Sequence, residues 1–372
     1  MAVIFEFDDV GNHSNMLLDR VRVSAFADAI AETVRPDDVV ADIGAGSGLL
    51  AIIAAKRGAR RVYAVERGVL APLLADAVRD NGVQDIVQIM RADARDVVFP
   101  EPPTVLVSET LGSFGIDENI LALIKDVRQK THPGCRIIPA HFEVELALAH
   151  VPEFEEELRV LEVGLPVRLL ALREALASRV TVTSIPTNYL GTTTGLTGPL
   201  RPGIDDLPHA LTCQVRALRA FRANAIVGWF STQLSPSVSL RSGPGPRSPS
   251  WSHVVLPLEP PLELTVGQEV TLRVRPTVVS ERGTWAWSAR CGDDLKGGHA
   301  LRALVGDKDD VHGQLGLREK PTDPRDGLQE SDVPQFARHL REAFPARYID
   351  DASAEQEIAR LWRAARSEPA SR

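Results

Sequence analysis

The sequence predicts an α/β protein in which a doubly wound parallel sheet (residues 1–138) precedes an antiparallel β domain (139–306) that carries an inserted helical arm at about 153–178. Three observations predict it. Between residues 21 and 139 short β-branched runs alternate with longer helical ones, as a parallel sheet covered on both faces requires. A glycine-rich turn, Gly44, Gly46 and Gly48, stands between the first of these runs and its helix. Beyond Pro139 most runs are strand-length with turn residues between them, the pattern of an antiparallel barrel or sandwich.

The units follow in order. "DDVVADIG" leads into "LLAIIAAKRGA", "RVYAVE" into "LAPLLADAVRDNG", then come "IVQIMRAD" and "TVLVSE", the last followed by "ILALIKDVRQKTHPG". The antiparallel part is carried by "HALTCQVRAL", "NAIVGWFSTQL", "SHVVLPL", "QEVTLRVRPTVV" and "TWAWSAR". "EFEEELRVLEVGLPVRLLALREALAS" interrupts it with a helical pattern broken at Gly164 and Pro166, hence the arm. "RSGPGPRSPS" (241–250) reads as a loop. Residues 307–372 form a polar, then helical, extension, and no internal repeat is visible.

With 372 residues, 44% of them hydrophobic, the chain can bury a substantial core. A formal net charge of −8 argues against a general nucleic-acid-binding surface, which needs a basic excess. Only six of the 42 basic residues are lysines, a bias read as genomic, of the kind a G+C-rich bacterium leaves. Cys135, Cys213 and Cys291 are odd in number, far apart and free of any CxxC pair, so buried free thiols are expected and neither disulfides nor a metal site. The N-terminus has no basic and apolar leader pattern, and no stretch of about 18 residues is apolar throughout, from which no membrane contact and a cytoplasmic location are expected.

The glycine turn is where backbone approaches a nucleotide closely. A dinucleotide fingerprint places a glycine or alanine three residues after the second glycine, but here that position is Leu49. Asp42, just before the turn, sits poorly beside a pyrophosphate. S-adenosylmethionine has no phosphate, and its ammonium and sulfonium favour nearby acids. Glu66, ending the next strand, is placed to accept from both ribose hydroxyls. Asp93, with Ala94 and Arg95 behind it, ends the strand that would edge the adenine. Each feature also occurs in plain turns or as a solvated acid; together they favour S-adenosylmethionine over NAD.

A second constellation is "SETLGSFGIDE" (108–118), in which Glu109 and Glu118 stand nine residues apart on a glycine-rich loop behind a strand. A third is "HSNMLLDRVR" (13–22). The last two resemble the double-glutamate loop and the N-terminal helix signature of the protein arginine methyltransferase family, and the β region after Pro139 with its helical insertion is similar to that family's barrel and arm, over roughly residues 5–295. The resemblance implies a Rossmann-like methyltransferase domain, a β-barrel and a helical arm that forms a homodimer. It implies further that Arg22 grips the cofactor carboxylate, that His13 and Met16 line the cofactor and reacting centre, and that Asp19 pairs with the histidine of a Thr-His-Trp loop. The chain departs from the family there: the loop aligns as Pro249, Ser250 and Trp251, with His253 two residues beyond, and Phe7 in "VIFEF" stands where a tyrosine hydroxyl is expected.

Methylating a guanidinium requires aim, because its lone pairs are delocalised and its five donors lie in one plane. One carboxylate can fix that plane through two parallel N–H bonds while the other biases charge away from the attacking nitrogen. Glu109 and Glu118 suit these roles, and without a cation between them one of the two would hold a proton. The expected reaction is therefore methyl transfer to a guanidino nitrogen, with the departures from the family leaning the substrate toward free L-arginine or a small guanidino metabolite. Peptidyl arginine is the alternative, followed by a non-guanidine nitrogen or oxygen and by a catalytically silent binding protein.

Overall fold

The computed structural model describes residues 10–167, 169–245, 251–279 and 282–299. The sequence features read at Phe7, at Ser250 and in the 307–372 extension lie outside them. Two helices open the described chain, α1 (Val10–Leu18) and α2 (Arg20–Thr33). Asp19 separates them and caps α2, its carboxylate accepting from the backbone N–H of Val21 and of Arg22, each at 3.1 Å. Then come β1 (Val39–Ile43), α3 (Leu49–Lys56), β2 (Arg61–Val65), α4 (Ala71–Asp80), β3 (Val87–Met90), β4 (Val105–Ser108), α5 (Ile120–Arg128) and β5 (Arg136–Ile138).

These five strands pair in parallel in the order β3-β2-β1-β4-β5. Every residue of β1 and β4 is buried, as expected of central strands covered on both faces. The chain order reverses between β1 and β4, so the crevice at their carboxyl ends is the switch point where such sheets take ligands. Both the glycine turn after β1 and the double-glutamate loop after β4 open there.

The second half comprises β6 (His141–Ala149), α6 (Pro152–Arg159), a π-turn over Val160–Gly164, α7 (Leu170–Leu176), β7 (Thr181–Thr183), β8 (Gly195–Leu200), β9 (Leu211–Arg216), β10 (Phe221–Gln233), β11 (Ser239–Arg241), β12 (His253–Leu264), β13 (Glu269–Val279), β14 (Arg282–Cys291) and β15 (Asp294–His299). Its strands form two antiparallel sheets, β7-β12-β10-β6-β8 with β11 beside β10, and β15-β14-β13-β9. Among the described residues they do not close into one ladder. Proline contributes no N–H to a ladder, and β12 holds three, at 257, 260 and 261. The β10–β12 register shifts between Ala223 and Ala225. The sheets are instead joined by side chains such as Trp287, whose indole N–H donates to the Pro257 carbonyl at 2.5 Å.

α6, the π-turn and α7 form the arm, tethered to β12 by Arg173, which bridges Glu162 (3.0 Å) and Glu259 (2.8 Å). Its Val163, Leu165, Val167, Leu170 and Leu172 are exposed. The far end of α2 is fastened to the turn between β10 and β11, where Glu32 accepts from the Ser235 hydroxyl at 2.5 Å and the Ser237 hydroxyl at 2.8 Å. Cys135 and Cys213 are buried thiols, Cys213 pushed up to about 12 by burial, whereas Cys291 is only half-buried. No helix among the described residues is long and apolar enough to cross a membrane.

Candidate functional site

Parallel pairing of Ile43 with Ser108 brings the ends of β1 and β4 side by side. The Ser108 hydroxyl donates to the Ile43 carbonyl at 2.9 Å and meets the Thr110 hydroxyl at 2.9 Å. A side chain at Gly44 would press on Thr110 Cγ2 at 3.2 Å. The glycine turn and the double-glutamate loop are therefore in contact, and chemistry on one is within reach of the other.

In the turn, Gly44 and Gly46 take φ of +73° and +51°, a region that favours glycine. A Cβ on Gly46 would lie 2.7 Å from His13 Cε1, so α1 closes over the turn through His13. Met16, one turn further along α1, is half-buried. Asp42 is buried and accepts from the Ala51 N–H at 2.9 Å at the start of α3. Burial, aided by the negative charge of Glu66 and opposed by that hydrogen bond, pushes its carboxyl up to about 7. Glu66 accepts from the N–H of Gly46 at 2.8 Å and of Gly68 at 2.5 Å, which orients its carboxylate across the turn. No basic residue occurs between Asp42 and Ala55. This donor set fits a cationic nucleoside cofactor and not a pyrophosphate.

Asp93 lies in the loop beyond β3, three residues past its last strand residue, Met90. Its carboxylate is engaged by Arg95, through the backbone N–H at 2.9 Å and the guanidinium at 3.0 and 2.9 Å, and by Arg67 at 2.8 Å. Hydrogen bonding to Arg95 holds the acid well below the usual carboxylate range and raises the arginine. The sequence placed Asp93 beside an adenine; what it could not reveal is that two guanidinium groups already share this acid. Ala94, next to it, is buried.

Arg22 departs from the expected geometry in an informative way. Its buried guanidinium forms an ion pair with Glu109 and lies 4.3 Å from the ring centre of Trp251. Trp251 is itself buried and meets Phe230 edge-on at 5.1 Å. Burial lowers Arg22 to about 10, against the charges of Glu118 and Asp19, so it is a cation at neutral pH. A cation thus stands beside the two acids before any substrate arrives.

Asp19, expected to pair with a loop histidine, caps α2 and so fixes the start of the helix that carries Arg22; Ser250, the position where that histidine would stand, lies outside the described residues. His253 is no replacement for that histidine. Its Nδ1 accepts from the Ile185 N–H at 2.9 Å and its Nε2–H donates to the Ser242 carbonyl at 3.1 Å. Burial lowers its pKa, so the ring is a neutral strut between β12 and its neighbours.

One residue of the acid loop escaped the sequence reading. Asp117 Oδ2 accepts from the Ser113 N–H and its Oδ1 from the Phe114 N–H, both at 2.8 Å. Gly112, at φ +60°, lies against the same carboxylate. Phe114 is fully buried, its ring 5.3 Å from that of Trp285. After Glu118, Asn119 adopts φ +59°, a left-handed conformation that asparagine tolerates, and α5 begins at the buried Ile120.

Among known proteins, the family model described as ribosomal protein L11 methyltransferase (PrmA) matches residues 25–140. Protein arginine N-methyltransferase 1 of Oryza sativa subsp. indica is 27% identical over 278 residues, 71% of this chain and 71% of that one. Protein arginine N-methyltransferase PRMT10 of Oryza sativa subsp. japonica is 34% identical over 157 residues, 41% of each chain. Of solved structures, a Trypanosoma brucei PRMT1 enzyme-prozyme heterotetrameric complex with AdoHcy superposes with a TM-score of 0.72 at 20% identity, covering 79% of this chain and 99% of that one. Arabidopsis thaliana protein arginine methyltransferase 10 superposes with a TM-score of 0.67 at 18% identity, covering 80% and 99%.

Proposed function

Because this chain belongs to the protein arginine methyltransferase family of S-adenosylmethionine-dependent enzymes, and is an arginine N-methyltransferase, we propose that the arginine it methylates is carried in a protein or peptide and is held by Glu109 and Glu118. The observation that carries the reading is the contact between the glycine turn and the double-glutamate loop at the sheet's switch point. Peptidyl arginine is favoured over the free amino acid because relatives that match over at least 71% of both chains are named for protein arginine. The lean toward free arginine rested on Phe7, Ser250 and the bacterial-type composition, and the relatives lend it no support.

Bound at the glycine turn, S-adenosylmethionine supplies a methyl group on a positively charged sulfur. Asp42 and Glu66 orient the nucleoside side of that pocket, with Asp93, Ala94 and Arg95 at its outer edge. His13 and Met16 close it from α1, and Arg22 is the cation available to the amino-acid carboxylate. Glu109 and Glu118 grip the substrate guanidinium and hold one nitrogen in line for attack. The proton that the methylated nitrogen sheds passes to Glu118 or to water. Asp19 acts through Arg22 by fixing the start of α2, and Trp251 by giving that arginine a face to lie on.

A homodimer through the arm fits the same reading. The exposed apolar side chains of the arm need cover, and Leu17 and Leu18 on α1, Val21 on α2, Val69 before α4 and Leu73 on α4 are exposed as well. The substrate reading is tested by incubating the protein with methyl-labelled S-adenosylmethionine and, separately, arginine-rich peptides, free arginine and agmatine. Label in the peptide is expected, and label only in the small molecules would reverse the substrate assignment. Glu109→Gln is expected to abolish turnover while leaving cofactor affinity within about threefold, since the charge-assisted contact to the substrate guanidinium is lost while Arg22, released from its ion pair with Glu109, stays a cation for the cofactor carboxylate.

A further inference from the structure

We infer that Asp117 is a positioning residue for the acid pair, bracing the 112–114 turn from below and so setting where Glu109 and Glu118 stand relative to each other. The inference rests on the reading of those two glutamates as the guanidinium clamp. Its basis is geometric. Both oxygens of Asp117 are used, one by each of two consecutive backbone N–H groups, at 2.8 Å. Two donors converging on two acceptors suit a carboxylate and not an amide, which would turn an NH2 toward one of them. Gly112 leaves no room for slack: a Cβ there would come within 2.4 Å of Oδ1.

The braced turn has anchors on each side. Upstream, Glu109 follows directly on β4, whose Ser108 is buried and bonded to Ile43. Within the turn, Phe114 is keyed into the antiparallel half, with Trp285 beside it and Gly228 beneath, where a Cβ would lie 2.1 Å from the ring. Downstream, Glu118 is the next residue after Asp117, followed by left-handed Asn119 and the buried first residue of α5. Between Phe114 and α5 the chain passes Gly115, packed close against Phe142, and the buried Ile116, and Asp117 ties this segment back to the turn. Burial pushes this carboxyl up to about 6, so an acid is an unfavourable choice for mere filling.

The experiment compares Asp117→Asn and Gly112→Ala with the unaltered full chain, using an arginine-rich peptide and labelled S-adenosylmethionine. The first substitution removes one acceptor; the second keeps the acid and pushes it aside. In both, kcat/KM for the peptide is expected to fall by about 10- to 100-fold, with a raised peptide KM, because misplacement by about 1 Å is enough for such losses. Cofactor affinity should stay within about threefold and binding stoichiometry at one per chain, since the brace touches the clamp and not the glycine turn. A merely structural role would lower the stoichiometry and leave KM unchanged, which would overturn the proposal, as would kcat/KM within about twofold of the unaltered chain in the variant that folds. Glu109→Gln, run alongside, separates the two readings. Activity surviving in Glu109→Gln sinks the clamp and the brace together. Loss in Glu109→Gln with none in Asp117→Asn and Gly112→Ala sinks the brace alone.

Discussion

Gly228→Ala tests whether the antiparallel half steers the acid loop. Gly228 lies in β10 with an ordinary strand conformation, so the substitution strains no backbone; its effect comes from space alone. The new methyl group would fall 2.1 Å from Phe114 Cε2 and 2.7 Å from Cζ, both well inside the roughly 3.5 Å at which carbons rest. Phe114 is fully buried, so the ring cannot swing into solvent. It must back toward Trp285 or lift, taking the 112–118 segment with it. Overpacking of this kind costs about 1–3 kcal/mol. In a domain of this size each kcal/mol lowers the melting temperature by about 2–4 °C. Displacement of the loop by about 1 Å would lower kcat/KM for peptide by roughly 100-fold. The assays are calorimetry and initial rates with labelled cofactor, and Phe114→Leu in the same chain should restore part of the rate by making room. A chain with the expected thermal loss but full turnover would show that the glutamates do not depend on this socket.

Replacing Arg22 by lysine keeps the charge but removes the planar fork and the face lying on Trp251; cofactor affinity is expected to fall at least about tenfold, and unchanged affinity in a titration would leave Arg22 with Glu109 alone. Asp42, raised to about 7 in the folded chain against about 3.9 when unfolded, holds a proton in the native state over that interval. Its contribution to stability is complete below about pH 4 and is lost as pH rises through about 7. Asp42→Asn should therefore gain on the unaltered chain between pH 5 and 8 in urea midpoints, and parallel curves would refute the shift. Changing Val163, Leu165 and Leu172 together to serine should convert the expected homodimer to a monomer by light scattering; a mass unmoved by the change would place the interface elsewhere.

Much of the fold was legible because parallel strands buried on both faces read as nearly continuous apolar runs, and β1, interrupted by Asp42, and β4, ending in Ser108, are such runs. The glycine turn was legible because backbone at φ above zero selects glycine. Register across β1 and β4, which makes the glycine turn and the acid loop neighbours, follows from the parallel sheet. The rest depended on contacts between distant segments. Arg22 meets Glu109 and Trp251 across 87 and 229 residues, and no local pattern announces either. His253 stood close to a missing histidine in sequence, yet partners at 185 and 242 hold it as a strut. Asp117 left no signal because an acid in a glycine-rich loop normally faces water; only the convergence of two backbone N–H groups marks it. Among the described residues the antiparallel strands form two ladders and not one, and the prolines of β12 remove ladder donors at positions that otherwise read as strand.

α2 carries a mechanical consequence. Arg22 near its start lies beneath Trp251, and Glu32 near its end is fastened to Ser235 and Ser237, about 15 Å away along a helix rising 1.5 Å per residue. Both ends of a stiff rod belonging to the parallel half are thus pinned to the antiparallel half. Two pins about three turns apart oppose sliding of α2 against the antiparallel half, and Phe114, seated between Gly228 and Trp285, ties the acid loop to that same half. Arg22 and the acid loop therefore share one frame to which both halves are fastened.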